Sequence, residues 1–273
     1  MSMKYFLLFL FACCYISCKP DKTSSTSTSS VKPTSNFTIV KKLPHDPKAF
    51  TQGLVHYNGS LIESTGLNGQ SWISIYDPIT LQYSKKLSLS SEFFGEGITI
   101  LNDKIYQLTY KKRVGFIYDS KSFEKTSEFK YPISIKEGWG ITHDNEHLIV
   151  SDGSSNLYFL DTLSHRIERQ VNVSNNSNAK SKLNELEYFE GHIYANIWGS
   201  NMIIKIDPSD GEVIASYDLS LLEKMEKSKQ PTIDVLNGIT FDPVTRDMIV
   251  TGKYWPNYYY LRLKPNDSGK KVN

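Results

Sequence analysis

The sequence predicts an all-β fold, a five-bladed β-propeller closed by pairing of an N-terminal strand with the last blade. Three observations carry this prediction. A short element recurs five times, as Thr51-Gln-Gly-Leu, Gly95-Glu-Gly-Ile-Thr, Gly138-Trp-Gly-Ile-Thr, Leu183-Asn-Glu-Leu-Glu and Leu236-Asn-Gly-Ile-Thr. Its anchors, Gly53, Gly97, Gly140, Glu185 and Gly238, are spaced 44, 43, 45 and 53 residues apart, the length of a four-stranded blade. The last repeat has no fourth strand of its own, whereas Phe37 to Leu43 is a strand-like segment with no partner ahead of the first repeat. Pairing those two closes the ring and removes the exposed edges that an open array of strands leaves.

Each repeat is built from short runs rich in β-branched and aromatic residues, bounded by turn signals such as Asn58-Gly59, Asp77-Pro78, Asp152-Gly153 and Asp207-Pro208. The second strand follows the anchor, as in Leu61-Ile-Glu-Ser, Ile105-Tyr-Gln-Leu and Leu148-Ile-Val-Ser. The third ends in Asp77, Asp119, Asp161 and Asp207, and in the last repeat it is Tyr258 to Leu263, without the aspartate. Fourth strands fit Tyr83 to Leu89, Phe123 to Lys130, Arg166 to Val173 and Val213 to Asp218. The long fourth spacing has its own cause. Ser220-Leu-Leu-Glu223 is a capping-box pattern that predicts a short helix over 221–229, ended before Pro231 and inserted between blades.

The N-terminus reads as an address. Lys4 precedes an uncharged apolar stretch from Tyr5 to Ile16, too short for a membrane span and suited to a signal peptide over 1–17. Tyr15-Ile16-Ser17-Cys18 resembles a bacterial lipobox, with Cys18 as the lipidation site; Tyr15 departs from the usual aliphatic residue, so an ordinary cleaved signal or a retained anchor stays open. Residues 18–36 form a tether: from Lys19 to Asn36, ten of eighteen residues are Ser or Thr, too polar to offset the entropy of ordering. The propeller body is expected over 37–264 and a polar tail over 265–273. The protein is expected to be exported to a bacterial cell envelope, periplasmic or surface-facing. Its membrane contact would be the N-terminal lipid alone, and a monomer is expected.

Composition excludes several classes. A net charge of +2 argues against a nucleic-acid partner. The three cysteines, Cys13, Cys14 and Cys18, lie at the N-terminus, so the body has no disulfide, thiolate metal site or cysteine nucleophile. The six histidines show no metal-ligand spacing, and no phosphate-binding, zinc or nucleophile-elbow motif occurs.

Equivalent residues of each blade face the propeller axis at one height. The residue before each anchor gives a ring of Gln52, Glu96, Trp139, Asn184 and Asn237, and the following strand predicts a second ring of Glu63, Tyr110, Asp152, Trp198 and Lys253. The scaffold repeats while these residues differ, as a small-ligand site requires. Each also has a plainer role: amides satisfying backbone groups, tryptophans as core aromatics, Glu63 capping a turn. Glu96 is the hardest to explain away, because a carboxylate flanked by Gly95 and Gly97 near a narrow channel is costly unless partnered. Lys253 is its candidate partner.

Seven motifs then match one family in order and spacing: Phe50-Thr-Gln52-Gly-Leu, Glu63-Ser-Thr-Gly, Phe94-Gly-Glu96-Gly-Ile-Thr, Glu137-Gly-Trp139-Gly, Leu183-Asn184-Glu-Leu-Glu, Asn196-Ile-Trp198 and Leu236-Asn237-Gly-Ile. From about Phe37 to Leu263 the chain resembles the plant- and bacterial-type glutaminyl-peptide cyclotransferases, five-bladed propellers unrelated to the zinc-dependent animal enzymes. The resemblance implies conversion of an N-terminal glutamine of a peptide or protein to pyroglutamate with loss of ammonia, without metal or other cofactor. It implies that Glu96 is the catalytic acid/base and that Phe50, Gln52, Trp139, Asn184, Trp198 and Lys253 line the pocket. Tyr110 stands where the family is expected to carry tryptophan, which puts the pocket wall there in question. Glu63 is expected to receive the substrate ammonium or position a neighbour, and Asn237 to join the site.

Two other readings stay open at this point. A metal-dependent lactonase-like propeller hydrolase would gather Glu63, Glu96, Asp152, Asn184 and Asn237 on one divalent ion. A non-catalytic module would bind peptides or glycans through Trp139 and Trp198.

Overall fold

The computed structural model describes residues 36–77 and 79–264. The signal segment, Cys18, the Ser/Thr-rich tether and the tail after Lys264 lie outside the described residues.

Five four-stranded antiparallel sheets stand around a common axis. The chain enters through β1 (Phe37–Pro44) and then builds blade 1 from β2 (Thr51–Tyr57), β3 (Ser60–Thr65), β4 (Trp72–Asp77) and β5 (Gln82–Ser88). Blade 2 is β6 (Gly95–Leu101), β7 (Lys104–Thr109), β8 (Val114–Asp119) and β9 (Lys125–Lys130). Blade 3 is β10 (Ile141–His143), β11 (His147–Ser151), β12 (Asn156–Asp161) and β13 (Ile167–Asn172). A two-residue hairpin, β14 (Ser174–Asn175) with β15 (Asn178–Ala179), leads to blade 4: β16 (Leu183–Phe189), β17 (His192–Ile197), β18 (Met202–Ile206) and β19 (Val213–Asp218). Helix α1 (Ser220–Lys227) precedes blade 5, which is β20 (Leu236–Phe241), β21 (Met248–Gly252), β22 (Asn257–Leu263) and β1. Phe37 pairs with Leu263 and Pro44 with Asn257, so the N-terminal strand closes the ring.

Each interface between neighbouring blades encloses its own apolar cluster. Along β11, Leu148 and Val150 join the cluster shared with blade 2, while Ile149 between them joins the cluster shared with blade 4. A strand buried on both faces needs apolar residues at successive positions, which is why these strands read as unbroken apolar runs. Ile62, Ile98 and Phe116 fill the interface of blades 1 and 2, and Leu54, Ile249 and Tyr258 that of blades 5 and 1. Burial of each such side chain stabilises the fold by about 1.5–3 kcal/mol.

The aspartates that end the third strands are turn caps. Asp77, Asp119, Asp161 and Asp207 each accept the backbone N–H of a residue two or three positions on, and Asp242 does the same after β20. These bonds hold their carboxyls below the usual range, so they are anionic. All five lie at the end of the propeller opposite the starts of the innermost strands.

The inserted helix differs from the sequence expectation. It runs from Ser220 to Lys227, its N-cap position is Leu219, and no side chain there caps it. Instead Asp218 accepts the Ser220 amide at 2.8 Å, and Glu223 accepts from Asn201 at 2.9 Å rather than folding back as a capping box. The carboxylate two residues upstream reaches the first turn and leaves the serine hydroxyl unneeded. The helix braces the closing sheet through the buried Glu226, whose carboxylate accepts from Tyr259, from Asn257 at 2.6 Å and from Lys42 at 3.4 Å.

A pocket at the start of the innermost strands

One irregularity, repeated, creates the site. Between Gly95 and Ile98, β6 advances three residues while β7 advances two, from Thr109 to Gln107. The same one-residue bulge occurs at Thr51 to Leu54, Leu183 to Leu186 and Leu236 to Ile239. A bulge re-aims the side chain at its extra residue. The residues it re-aims are Gln52, Glu96, Asn184 and Asn237, and Trp139 holds the equivalent place in blade 3.

Inter-blade hydrogen bonds lock this layer. Ser64 donates to the Glu96 carbonyl, Ser151 to the Asn184 carbonyl at 2.7 Å, and the Gly238 amide to Asn196 at 3.0 Å. The anchors are glycine where inner strands touch: a β-carbon on Gly140 would fall 2.0 Å from the Asn184 carbonyl oxygen. Glu185, the exception, is buried, and its carboxylate takes the amides of Leu54 at 3.1 Å and Ile239 at 2.7 Å, joining blades 1 and 5 beneath the pocket.

The pocket has a volume of about 330 Å³ and is lined by Phe50, Gln52, Phe94, Glu96, Tyr110, Trp139, Asn184, Trp198 and Lys253. Two aromatic walls frame it. Phe50, Phe94 and Tyr110 meet in sequence at ring-centroid distances of 6.1 and 5.8 Å, and Trp139 meets Trp198 edge-on at 6.0 Å. The Trp139 indole N–H donates to Glu137 at 3.1 Å, which fixes its plane. Glu96 is 4 % exposed and Lys253 5 %, so both are almost wholly out of water. The Lys253 ammonium lies 4.4 Å from the Phe50 ring centroid.

Burial pushes the Glu96 carboxyl well above the usual carboxylate range; the Lys253 ammonium draws it back and the charge of Glu137 adds to the rise. Burial likewise lowers the Lys253 ammonium, and Glu96 opposes it. A carboxyl raised by burial beside an ammonium lowered by burial suits proton transfer in both directions. Among the amides, Asn184 keeps a buried Oδ1 without a hydrogen-bond partner.

Two expected site residues lie elsewhere. Glu63 is buried, but its carboxylate is bound by the Thr51 hydroxyl at 2.6 Å and by the His45 imidazole at 3.1 and 3.2 Å, outside the pocket. His45 also donates to the Trp255 carbonyl at 2.5 Å. Burial opposes its protonation, yet Glu63 outweighs this and raises the imidazole above its ordinary value. Asn237 stands behind the pocket, donating to the Thr51 carbonyl at 3.0 Å and to the Gln52 side-chain oxygen at 3.2 Å, so it orients Gln52.

The strand register explains why Glu63 lies outside the pocket. Leu54, Ile98, Ile141, Leu186 and Ile239 pair with Glu63, Gln107, Val150, Ala195 and Val250. Three positions on from each comes the second ring, which is therefore Gly66, Tyr110, Gly153, Trp198 and Lys253. Glu63 and Asp152 are off that ring. Asp152 instead accepts from Ser154 and, at 3.0 Å, from Tyr158. The two ring glycines make room for aromatic walls: a β-carbon on Gly66 would stand 2.4 Å from the Phe94 ring, and one on Gly153 2.7 Å from the Trp139 ring. Phe94 belongs to the wall and Glu137 to the rim, although neither stands on one of the two rings. Their signal was position, two residues before Glu96 and Trp139.

The family pattern described as glutamine cyclotransferase matches residues 9–263. The chain belongs to the glutamine cyclotransferase family. A glutaminyl-peptide cyclotransferase of Arabidopsis thaliana is 39% identical over 228 residues, covering 83% of this chain and 71% of that protein. The crystal structure of Myxococcus xanthus glutaminyl cyclase superposes with a TM-score of 0.77 at 32% identity, covering 84% of this chain and 96% of that one. In this glutamine cyclotransferase Tyr110 completes the aromatic wall begun by Phe50 and Phe94.

Proposed function

We propose that this protein cyclises the N-terminal glutamine of peptides to pyroglutamate with release of ammonia, using Glu96 as its general acid/base and no catalytic metal. The observation that carries the reading is the lone buried carboxylate of Glu96 in a pocket walled by aromatic rings, beside Lys253. Glu63 and Asp152, which a metal-binding reading would gather beside it, are committed elsewhere.

The chemistry follows from these groups. The α-amine, neutral in quantity because such groups titrate near pH 8, attacks the side-chain carboxamide carbon. The new C–N bond closes the five-membered ring and the carbonyl electrons move to oxygen. Glu96 removes the proton released by the attacking nitrogen and delivers it to the departing amide nitrogen; the C–N bond breaks and ammonia leaves. Gln52 has its oxygen held by Asn237, which leaves its N–H₂ to meet the developing oxyanion together with Lys253. The unpartnered Asn184 Oδ1 accepts from a substrate N–H. The aromatic walls bury the methylenes and exclude water, so ring closure outruns deamidation. Because the attack is intramolecular, orientation and proton transfer are the main needs.

The test is turnover of a glutaminyl peptide, followed by ammonia release and product mass, with and without a strong chelator. Ammonia with a product that keeps a free amine would indicate an amidase, and activity abolished by chelator would return the metal reading.

A further inference from the structure

We propose that the pocket mouth selects glutaminyl peptides with an acidic residue close behind the N-terminal glutamine, and that Lys182 is the principal contact. The inference rests on the cyclase reading for the position of the glutamine.

Lys182 is an exposed residue with φ +66°, a conformation that a β-carbon disfavours. It is held there from two sides. Its amide donates to the Gly153 carbonyl at 2.9 Å, and its carbonyl accepts the Trp198 amide at 2.8 Å. Both partners belong to the second ring of the pocket. The strained backbone thus ties Lys182 to the two positions that shape the tryptophan wall, and its ammonium lies 5.4 Å from the Trp198 ring centroid. Among the described residues no carboxylate pairs with it. Strain kept beside a ligand pocket, with an unpaired charge at its tip, points to binding.

The chain beyond the glutamine must leave past Trp198, which is 43% exposed while Glu96 and Asn184 at the base are nearly inaccessible. The residue after the glutamine therefore emerges beside the Lys182 ammonium. On the facing side Lys111 lies 4.8 Å from the Tyr110 ring centroid. Lys111 reaches the half-buried Glu137 only at 3.9 Å, and Lys112 reaches the exposed Glu92 at 3.6 Å, weak pairs that leave both ammonium groups able to meet a substrate carboxylate. The anionic turn caps stand at the opposite end of the propeller, away from the mouth.

Three C-terminally amidated peptides, with Glu, Ala or Lys after the N-terminal Gln, test this. Turnover and binding, the latter by intrinsic tryptophan fluorescence, are measured at about 20 mM and about 0.5 M salt. The glutamate peptide should exceed the lysine peptide about tenfold in kcat/KM and in affinity at low salt, and the ratio should fall below about threefold at high salt. Lys182→Glu should invert the order, and Lys182→Asn, which tolerates positive φ, should flatten it. Equal binding of the three peptides by the wild type, or an order unchanged in Lys182→Glu, overturns the proposal. Charge-ordered binding without turnover of any peptide would leave it standing and overturn the cyclase reading instead.

Discussion

Gly153 lies flat against the indole of Trp139, so closely that a β-carbon there would stand 2.7 Å from the ring. The glycine is what allows the tryptophan to be a wall. It also has φ +78°, so alanine would be strained even without the ring. Gly66 makes the same room for Phe94 without a positive φ, which separates the two effects. Gly66→Ala should raise KM for a glutaminyl peptide at least about tenfold while lowering Tm little; Gly153→Ala should do both, with about 1 kcal/mol or more of stability lost. Unchanged KM in both variants would show that the walls do not hold the substrate.

Glu96→Gln keeps the side-chain shape and removes the proton acceptor. The kcat should fall about 10²–10⁴-fold with KM little changed. Stability should not fall. The folded state raises this carboxyl, so ionising it opposes folding increasingly as pH rises above the unfolded value, and glutamine abolishes that penalty. Thermal melts of both proteins at pH 6 and pH 9 check the sign: a variant melting below wild type at pH 9 would mean that the carboxylate stabilises the fold.

Glu63 belongs to stability. Glu63→Ala leaves the His45 imidazole buried without its carboxylate, a change that typically costs about 3–5 kcal/mol. The kcat per folded molecule should stay within about threefold, because Glu63 touches no pocket residue through its carboxylate. A Glu63→Ala enzyme that melts normally and has lost turnover would restore its place in the site.

The pH profile of stability has two limbs. Burial pushes the Glu187 carboxyl up to about 8 and raises that of Glu185 above the usual carboxylate range beneath the pocket, and His45 is raised by Glu63. All three bind protons more tightly folded than unfolded, so their stabilising contribution fades as pH rises from mildly acidic values through about 8. The turn-cap aspartates are lowered and lose theirs as pH falls below the unfolded aspartate value near 4. Tm should therefore peak at mildly acidic pH, and Glu187→Gln should flatten the alkaline limb. A Tm that rises from pH 6 to pH 9 would contradict it.

Closure depends on β1. Removing residues 1–36 should leave a cooperatively folding, active body, whereas removing residues 1–44 strips the strand from β22 and bares the edge through Tyr258 and Tyr260. The longer truncation should aggregate or unfold without cooperativity. Identical melts for the two would show that the ring is closed by something else.

By itself the sequence determined the architecture and the chemical character of the site. Five anchors at near-constant spacing, an unpaired first strand and an incomplete last repeat describe a closed five-bladed ring, because edge strands must find partners. The first ring was readable too, since Gln52, Glu96, Trp139, Asn184 and Asn237 share one offset from those anchors. Tertiary structure alone decided which side chains reach the pocket. The bulge on the inner strand shifts the pairing by one residue, a local matter of hydrogen-bond register that residue spacing within one strand does not reveal. Counted from the cross-strand partners, the second ring falls three residues after Glu63 and one after Asp152, on Gly66 and Gly153, where the absence of a side chain is the functional feature. The partners of Glu63 were equally hidden: His45 comes from the loop before blade 1, and only closure of the ring brings the Trp255 carbonyl against its other nitrogen.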